Sequence, residues 1–433
     1  MAHGLLYGAS FTNGVLSFTD KQGRTICNAD LWNYLTLTAT ADNSSVALTK
    51  VGTLSNEFEV NVGSGWTAYE FGTVIPLNAG ESCNWRCKSH PTTQSSSNYV
   101  QFVMTGKIEA SGNVNSMLSS DFENITLLSG YDYAFCKLFA GCTSLVQAPE
   151  LPATNLATYC YYFMFDGCTS LVQAPELPAT NLATYCYAYM FRNCKSLMQA
   201  PELPATILEE RCYESMFEWC TSLVQAPELP ATILSDSCYE SMFEGCTSLT
   251  QAPALPSTTL AYNCYSSMFE GCTSLTQATE LPATNLANYC YAGMFYGCTS
   301  LTQAPALPST TLAYNCYAGM FYGCIYLTQA PELPATNLAT YCYSSMFYGC
   351  LSLTQAPELP ATILTNSCYG YMFYGCSNLN EVRISATTTA PGALDNWLSG
   401  VATTGDFYCD PNATIFPTGA SGIPEGWSRL PLS

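Results

Sequence analysis

Cysteines recur along this chain at a fixed interval, and that interval limits the fold more than any other feature. One series runs Cys142, Cys168, Cys194, Cys220, Cys246, Cys272, Cys298, Cys324, Cys350 and Cys376, each step 26 residues. A second series keeps the same step from Cys160 through Cys186 to Cys368, so nine complete units lie between Cys142 and Gly375. A period of this length is the mark of a solenoid, propeller or array. In a solenoid each unit contacts only its neighbours and buries its apolar face against them.

One unit, "CTSLTQAPALPSTTLAYNCYSSMFEG" from Cys246 to Gly271, divides into two halves. Pro253 and Pro256 forbid a helix interior in the first half and favour an extended segment ending in a turn. In the second half Leu260, Cys264, Met268 and Cys272 stand four apart with Phe269 beside Met268, which predicts a short helix with one apolar face. Thr258 or Thr259 would cap it and Gly271 would end it. At about 4.8 Å per stacked strand the nine coils would form a rod or gentle arc of about 45 Å.

The flanks differ. Runs such as "YLTLTATADNSSVALTKV" and "NYVQFVMTGKIEASGN" alternate apolar and polar residues, with Asn and Gly between the runs, and predict an antiparallel β-sandwich-like domain. A degenerate first coil follows at 131–142, with Ala134 where the first repeat cysteine would stand and Cys136 displaced. After Cys376 a final coil, a helix around 393–401 and a β-type cap are expected. The expected fold class is therefore mixed α+β: an N-terminal β domain over 1–125 for attachment or capping, a solenoid of strand-plus-helix coils over 126–380, and a C-terminal cap over 381–433.

With 48% hydrophobic and 10% charged residues, the chain can bury a large core. Its 32 acidic residues against 12 basic ones repel phosphate backbones, so nucleic acid is not an expected partner. No run of 18 apolar residues occurs, so no membrane-spanning helix is expected. The opening "MAHGLLYGASFTNG" lacks the features of a secretory signal.

Three explanations compete for the cysteines. Two residues eight apart on a helix are about 12 Å apart, too far for a disulfide within one unit. Bonds between equivalent cysteines of adjacent coils remain an alternative. Zinc would need closely spaced pairs, and no C-x2-C occurs; the local cluster Cys83, Cys87 and His90 reads as ordinary strand and turn. His3 is the other histidine. We read the two series as columns of buried free thiols, suited to a reducing or anaerobic setting.

A tyrosine follows each cysteine of the second series: Tyr161, Tyr187, Tyr213, Tyr239, Tyr265, Tyr291, Tyr317, Tyr343 and Tyr369. Two readings stand side by side, a recognition surface for glycan or protein and aromatic packing between coils. The two residues after each tyrosine vary most, as in Glu240 and Ser241, and are expected to face solvent. Gln147, Gln173 and their successors to Gln355 form a further column, read as amides bonded along the stack. Glu176, Glu202 and Glu228 read as solvated surface. No phosphate loop, G-x-S-x-G or H-E-x-x-H is present, so neither catalysis nor a cofactor or metal is expected.

The frame C-T-S-L-x-x-A-P-x-L-P-x-T-x-L-x-x-x-C-Y-x-x-M-F-x-G-C resembles the BspA-like class of leucine-rich repeats over residues 131–380. The end segment "FPTGASGIPEGW" is also similar to that class. The resemblance implies a strand opening with Ser-Leu, a Pro-bounded turn and a short helix ending in Phe-x-x-Cys. It further implies a surface-exposed binding protein of an anaerobic bacterium, or a component of a phage particle infecting one. The expectation is a non-enzymatic receptor-binding protein, on the virion or alternatively as an adhesin on the bacterial surface. Its partners would be a cell-surface glycan or protein, with other subunits held through residues 1–125 and a homo-oligomer possible in principle. A purely structural scaffold is the alternative. Candidate binding residues are Tyr187, Tyr213, Tyr239, Tyr265, Tyr291, Tyr317, Tyr343, Tyr369, Glu240 and Ser241.

Overall fold

A computed structural model describes residues 7–12, 15–19, 25–27, 33–55, 57–88, 94–119 and 121–432. His3 and His90 lie outside these residues, so the Cys83, Cys87 and His90 reading does too. Tyr7–Thr12, Val15–Thr19 and Thr25–Cys27 form a three-stranded antiparallel sheet.

Two larger sheets follow. Ser44–Val51 pairs with Tyr99–Thr105 on one side and Ile75–Leu77 on the other. The second sheet runs Ile108–Ser111, Leu35–Ala39, Ser82–Cys87, Phe58–Asn61, Trp66–Ala68. Alternate residues of Leu35–Ala39 are buried, as period-two patterning requires of a sheet covered on one face. Trp85 of the second sheet meets Phe102 of the first edge-on, with ring centroids 5.1 Å apart.

This domain ends as the first layer of the solenoid. Ile108–Ser111 pairs in parallel with Leu145–Gln147 of the first coil. Phe102 stacks on Phe139 at 5.3 Å, and Phe139 on Phe165 at 5.4 Å, so a sheet residue begins the phenylalanine column. The Cys142 thiol bonds the Phe102 carbonyl as the Cys168 thiol bonds that of Phe139, both at 3.1 Å. The β domain thus supplies the covering that an end coil lacks.

The expected helix in each coil is absent. Among the described residues there is no α-helix, only the 3-10 turns Val114–Met117 and Phe122–Asn124, so the fold is strands, bridges and turns rather than mixed α+β. In the coil that holds Cys238, Ser237, Ser241 and Gly245 take φ of 54°, 52° and 69°, so every fourth residue is left-handed. The N–H groups alternate in direction. Those of Glu240, Met242 and Glu244 bond three residues back, at 3.1–3.2 Å. Those of Tyr239, Ser241, Phe243 and Gly245 bond the following coil, at Cys264, Ser266, Met268 and Glu270, over 2.7–3.1 Å.

A helix would use all of these donors internally and leave none for the next coil. The turn chain keeps the four-residue spacing that suggested a helix: Leu260, Cys264, Met268 and Cys272 are all buried on one side. Glycine suits the left-handed corner at Gly245, whereas serine and asparagine there cost energy that the stack offsets.

On the other side of each coil, the extended segments meet through single parallel bridges such as Gln173↔Gln199 and Gln251↔Gln277. Residues 391–400 are turns, which removes the helix expected around 393–401. Trp397 lies across the end of both aromatic columns, 6.4 Å from Tyr369 and from Phe373. Beyond it, Glu381–Arg383, Gly405–Cys409 and Trp427–Pro431 form a parallel sheet.

Candidate recognition surface

The tyrosine column is core. Tyr187, Tyr213, Tyr239, Tyr265, Tyr291, Tyr317, Tyr343 and Tyr369 are each about 1% exposed, and successive rings stack at 5.6–6.0 Å. They offer no surface to a ligand, and the packing reading of this column is the one the geometry supports. The hydroxyls of Tyr161, Tyr213, Tyr265 and Tyr317 are buried without a hydrogen-bond partner. An unpaired buried hydroxyl costs about 1–3 kcal/mol, so Tyr213→Phe is expected to raise the melting temperature. A lowered melting temperature would show that the hydroxyl has a partner.

The described cysteines from Cys83 to Cys409 are buried, and those of the two repeat series carry free thiols. The Cys246 thiol donates to the Phe217 carbonyl of the preceding coil at 3.1 Å, and Cys272 to Phe243 likewise. Burial pushes the Cys238 and Cys272 thiols up to about 12, far from the reactive thiolate range. A thiol reagent is expected to label almost no cysteine in the native protein and close to all 24 after denaturation without reductant. Few thiols after denaturation would mean they are paired. Among the described residues no cluster of His, Cys, Asp or Glu could hold a metal ion.

The glutamine column is held by backbone bridges rather than by its amides. Among the described residues the one amide bond along it is Gln355 Nε2 donating to Glu381, at 3.1 Å. Glu176, Glu202 and Glu228 are exposed, and the last two border a groove with Gln199, Pro201, Gln225 and Pro227.

Variation collects on the face formed by the left-handed turns. Glu240 and Ser241 lie there, both half-buried. Glu240 belongs to a cluster that crosses coils. Arg211 bonds Glu214 at 3.2 Å and lies 3.7 Å from Glu240. The Tyr189 hydroxyl donates to Glu214 at 2.6 Å. Burial pushes the Glu240 carboxyl above the usual range, and the charge of Glu214 adds to the rise.

Aromatic rings continue this cluster toward the N-terminal end. Tyr133, Tyr159 and Tyr185 stack in parallel at 4.6 and 4.5 Å, as do Phe163 and Tyr189 at 4.5 Å. Tyr162 stands edge-on between the two stacks, 5.1 Å from Tyr159 and 4.4 Å from Phe163. Arg192 lies over Phe163 at 4.7 Å while pairing with Asp166.

Sequence reasoning found the variable pairs but missed the position just before each second-series cysteine, where Tyr159, Tyr185, Arg211, Tyr289 and Tyr341 stand. The signal was the change at that site from Tyr to Arg, Ser or Asn inside a fixed frame. The regular cysteine-tyrosine pair beside it drew the reading to the buried column.

These coils can be placed among known proteins. The family described as the BspA type leucine-rich repeat region, in six copies, matches residues 113–209, 188–320 and 293–394, more than half of the chain. The chain belongs to the BspA-type leucine-rich-repeat family. Comparison with curated proteins and with solved structures returns no match. BspA-type repeats are consistent with surface binding or an adhesin role, and leucine-rich repeats with protein binding. In this BspA-type chain no helix of the described residues is long and apolar enough to cross a membrane.

Proposed function

We propose that this BspA-type chain is a non-enzymatic binding protein displayed at a surface, on a phage particle or on a bacterium, where its turn face recognises a cell-surface glycan or protein. One observation carries the reading. The inward columns of Cys, Tyr, Met and Phe are nearly invariant from coil to coil, while the turn face changes from charged and aromatic to neutral and tyrosine-rich along the same frame. A scaffold that only stacks coils has no need of that change. Tyrosine supplies large, rigid contact area at low entropic cost, and arginine adds charge-assisted hydrogen bonds.

In this reading residues 1–125 cap the solenoid and attach it to its particle or cell. The net charge of −20 keeps the displayed surface soluble and away from anionic polymers. The test is saturable binding of the full-length labelled protein to whole cells of anaerobic bacteria, competed by unlabelled protein. No saturable binding, together with tight association only to co-purifying particle proteins, would replace this reading with that of a scaffold.

A further inference from the structure

We propose that the C-terminal half of the turn face is a groove for an uncharged glycan chain lying parallel to the solenoid axis. This inference rests on the surface-binding function above and names its ligand class.

The first wall is a tyrosine column of unusual geometry. Tyr262, Tyr289, Tyr314 and Tyr341 come from alternating positions, because the sequence reads Tyr-Asn-Cys, Asn-Tyr-Cys, Tyr-Asn-Cys, Thr-Tyr-Cys in successive coils. Neighbouring rings are therefore tilted by 68°, 61° and 73°, with centroids 5.4–5.8 Å apart. The backbone supports the alternation: Asn288 Oδ1 accepts the Tyr314 N–H at 3.0 Å, and Asp236 Oδ1 that of Tyr262 at 3.1 Å. Tyr133, Tyr159 and Tyr185 occupy one position in each coil, and their parallel stacking hides their faces from solvent. In the tilted column Tyr262, Tyr314 and Tyr341 are 46%, 39% and 40% exposed, with the half-buried Tyr289 between the first two.

The second wall is Tyr296, Tyr322, Tyr348 and Tyr374, stacked face to face at 4.3–4.7 Å. Ring faces are spent on one another there, leaving edges and hydroxyls. Between the walls the chain places Ser266–Ser267, Ala292–Gly293, Ala318–Gly319 and Ser344–Ser345. A methyl group built on Gly319 would meet nothing within 4 Å, so the floor is open at this coil, whereas one on Gly293 would meet Ser267 Oγ at 3.1 Å. Tyr371, in the floor position of the next coil, closes the far end.

Charge decides the ligand class. From Gly271 to Tyr374 the only charged residues are Glu280, Glu332 and Glu358, all in the extended segments on the other side of the coil. In a chain of net charge −20, this face of Tyr, Ser, Thr, Asn, Gly and Ala carries no basic residue, and its carboxylates, Asp236 and Glu270, stand at the Tyr262 end, so it offers little to an ionic partner. It does offer ring faces for the C–H faces of pyranoses, and hydroxyls and amides for their hydroxyl groups. One ring of this column stands in each coil, with neighbouring centroids 5.4–5.8 Å apart, so successive sugars of an extended chain can meet successive rings.

The test uses the full-length protein against soluble neutral polysaccharides (β-glucan, α-mannan and galactan) and a sulfated dextran, by affinity electrophoresis and calorimetry. Binding to a neutral polymer is expected, unchanged across a salt titration, and weakened about tenfold or more in the Tyr262→Ala/Tyr314→Ala/Tyr341→Ala variant. Ser345→Tyr is the second variant: the fold already accepts tyrosine at this position in Tyr189 and Tyr371, so it should fill the floor and block binding without unfolding the coil. Cells that bind the protein should lose binding after periodate oxidation of their glycans and keep it after protease treatment. Protease-sensitive, periodate-resistant binding would overturn the glycan assignment and leave the surface-binding function standing, whereas cells that never bind overturn both. Binding only to sulfated dextran, or a triple variant that binds like the parent, would also overturn the groove.

Discussion

Phe243→Ala is expected to destabilise the protein by about 3–5 kcal/mol, measured by denaturant unfolding. The ring is fully buried and stacks between Phe217 and Phe269, both 5.7 Å away, so its removal opens a void that two neighbours line. Repeat stability is a sum of coil and interface terms, and this substitution weakens two interfaces at once. An early sub-transition should therefore appear, as the solenoid parts at this coil while the capped ends persist. A loss below about 1 kcal/mol would mean that the column is not packed as described.

The second large effect concerns the left-handed corners. At Gly245 (φ +69°) a methyl group would fall 2.6 Å from Cε3 of Trp219. At Gly271 (φ +70°) it would meet only the Gly245 backbone at 3.7 Å. Gly271→Ala should therefore cost about 1–2 kcal/mol, the intrinsic penalty of the left-handed region. Gly245→Ala adds displacement of the indole and should cost visibly more. Ser241→Gly, at φ 52°, should be neutral or stabilising. If the coil were helical, that same substitution would destabilise by about 0.5 kcal/mol. Thermal unfolding of the three variants separates the two backbones.

Much of this was legible from residue spacing. The columns, the coil count and the burial of both cysteine series follow from a 26-residue period that lines up identical side chains. The helix was misread because spacing of four suits two backbones. An α-helix advances about 100° per residue, so Leu260 and Cys272 would diverge by about 120° over three such steps. A strict period of four across twelve residues is a turn-chain signature, and Gly, Ser and Asn at Gly245, Ser241 and Asn263 mark its left-handed corners.

The recognition surface was half legible. Glu240 and Ser241 were marked by variation, but adjacency to cysteine said nothing about which tyrosines point inward. Tyr239 is buried while Tyr262 is not, although each stands within two residues of a repeat cysteine. The junction with the β domain was not legible at all. Nothing in "NYVQFVMTGK" announces that Phe102 will take a place in a column whose other members stand 26 residues apart.

The turn face as the working surface can be tested with two variants of the full-length protein. The first replaces Tyr185, Arg211, Tyr314 and Tyr341 by alanine, which strips both halves of the turn face. The second replaces Val172 and Val224, exposed on the extended side, by the threonine that other coils carry at Thr250 and Thr276. Whole-cell binding isotherms, taken once both variants are shown to unfold cooperatively, should show the first weakened about tenfold or more and the second unchanged. Equal binding by both, or loss confined to the second, would contradict the assignment of recognition to the turn face.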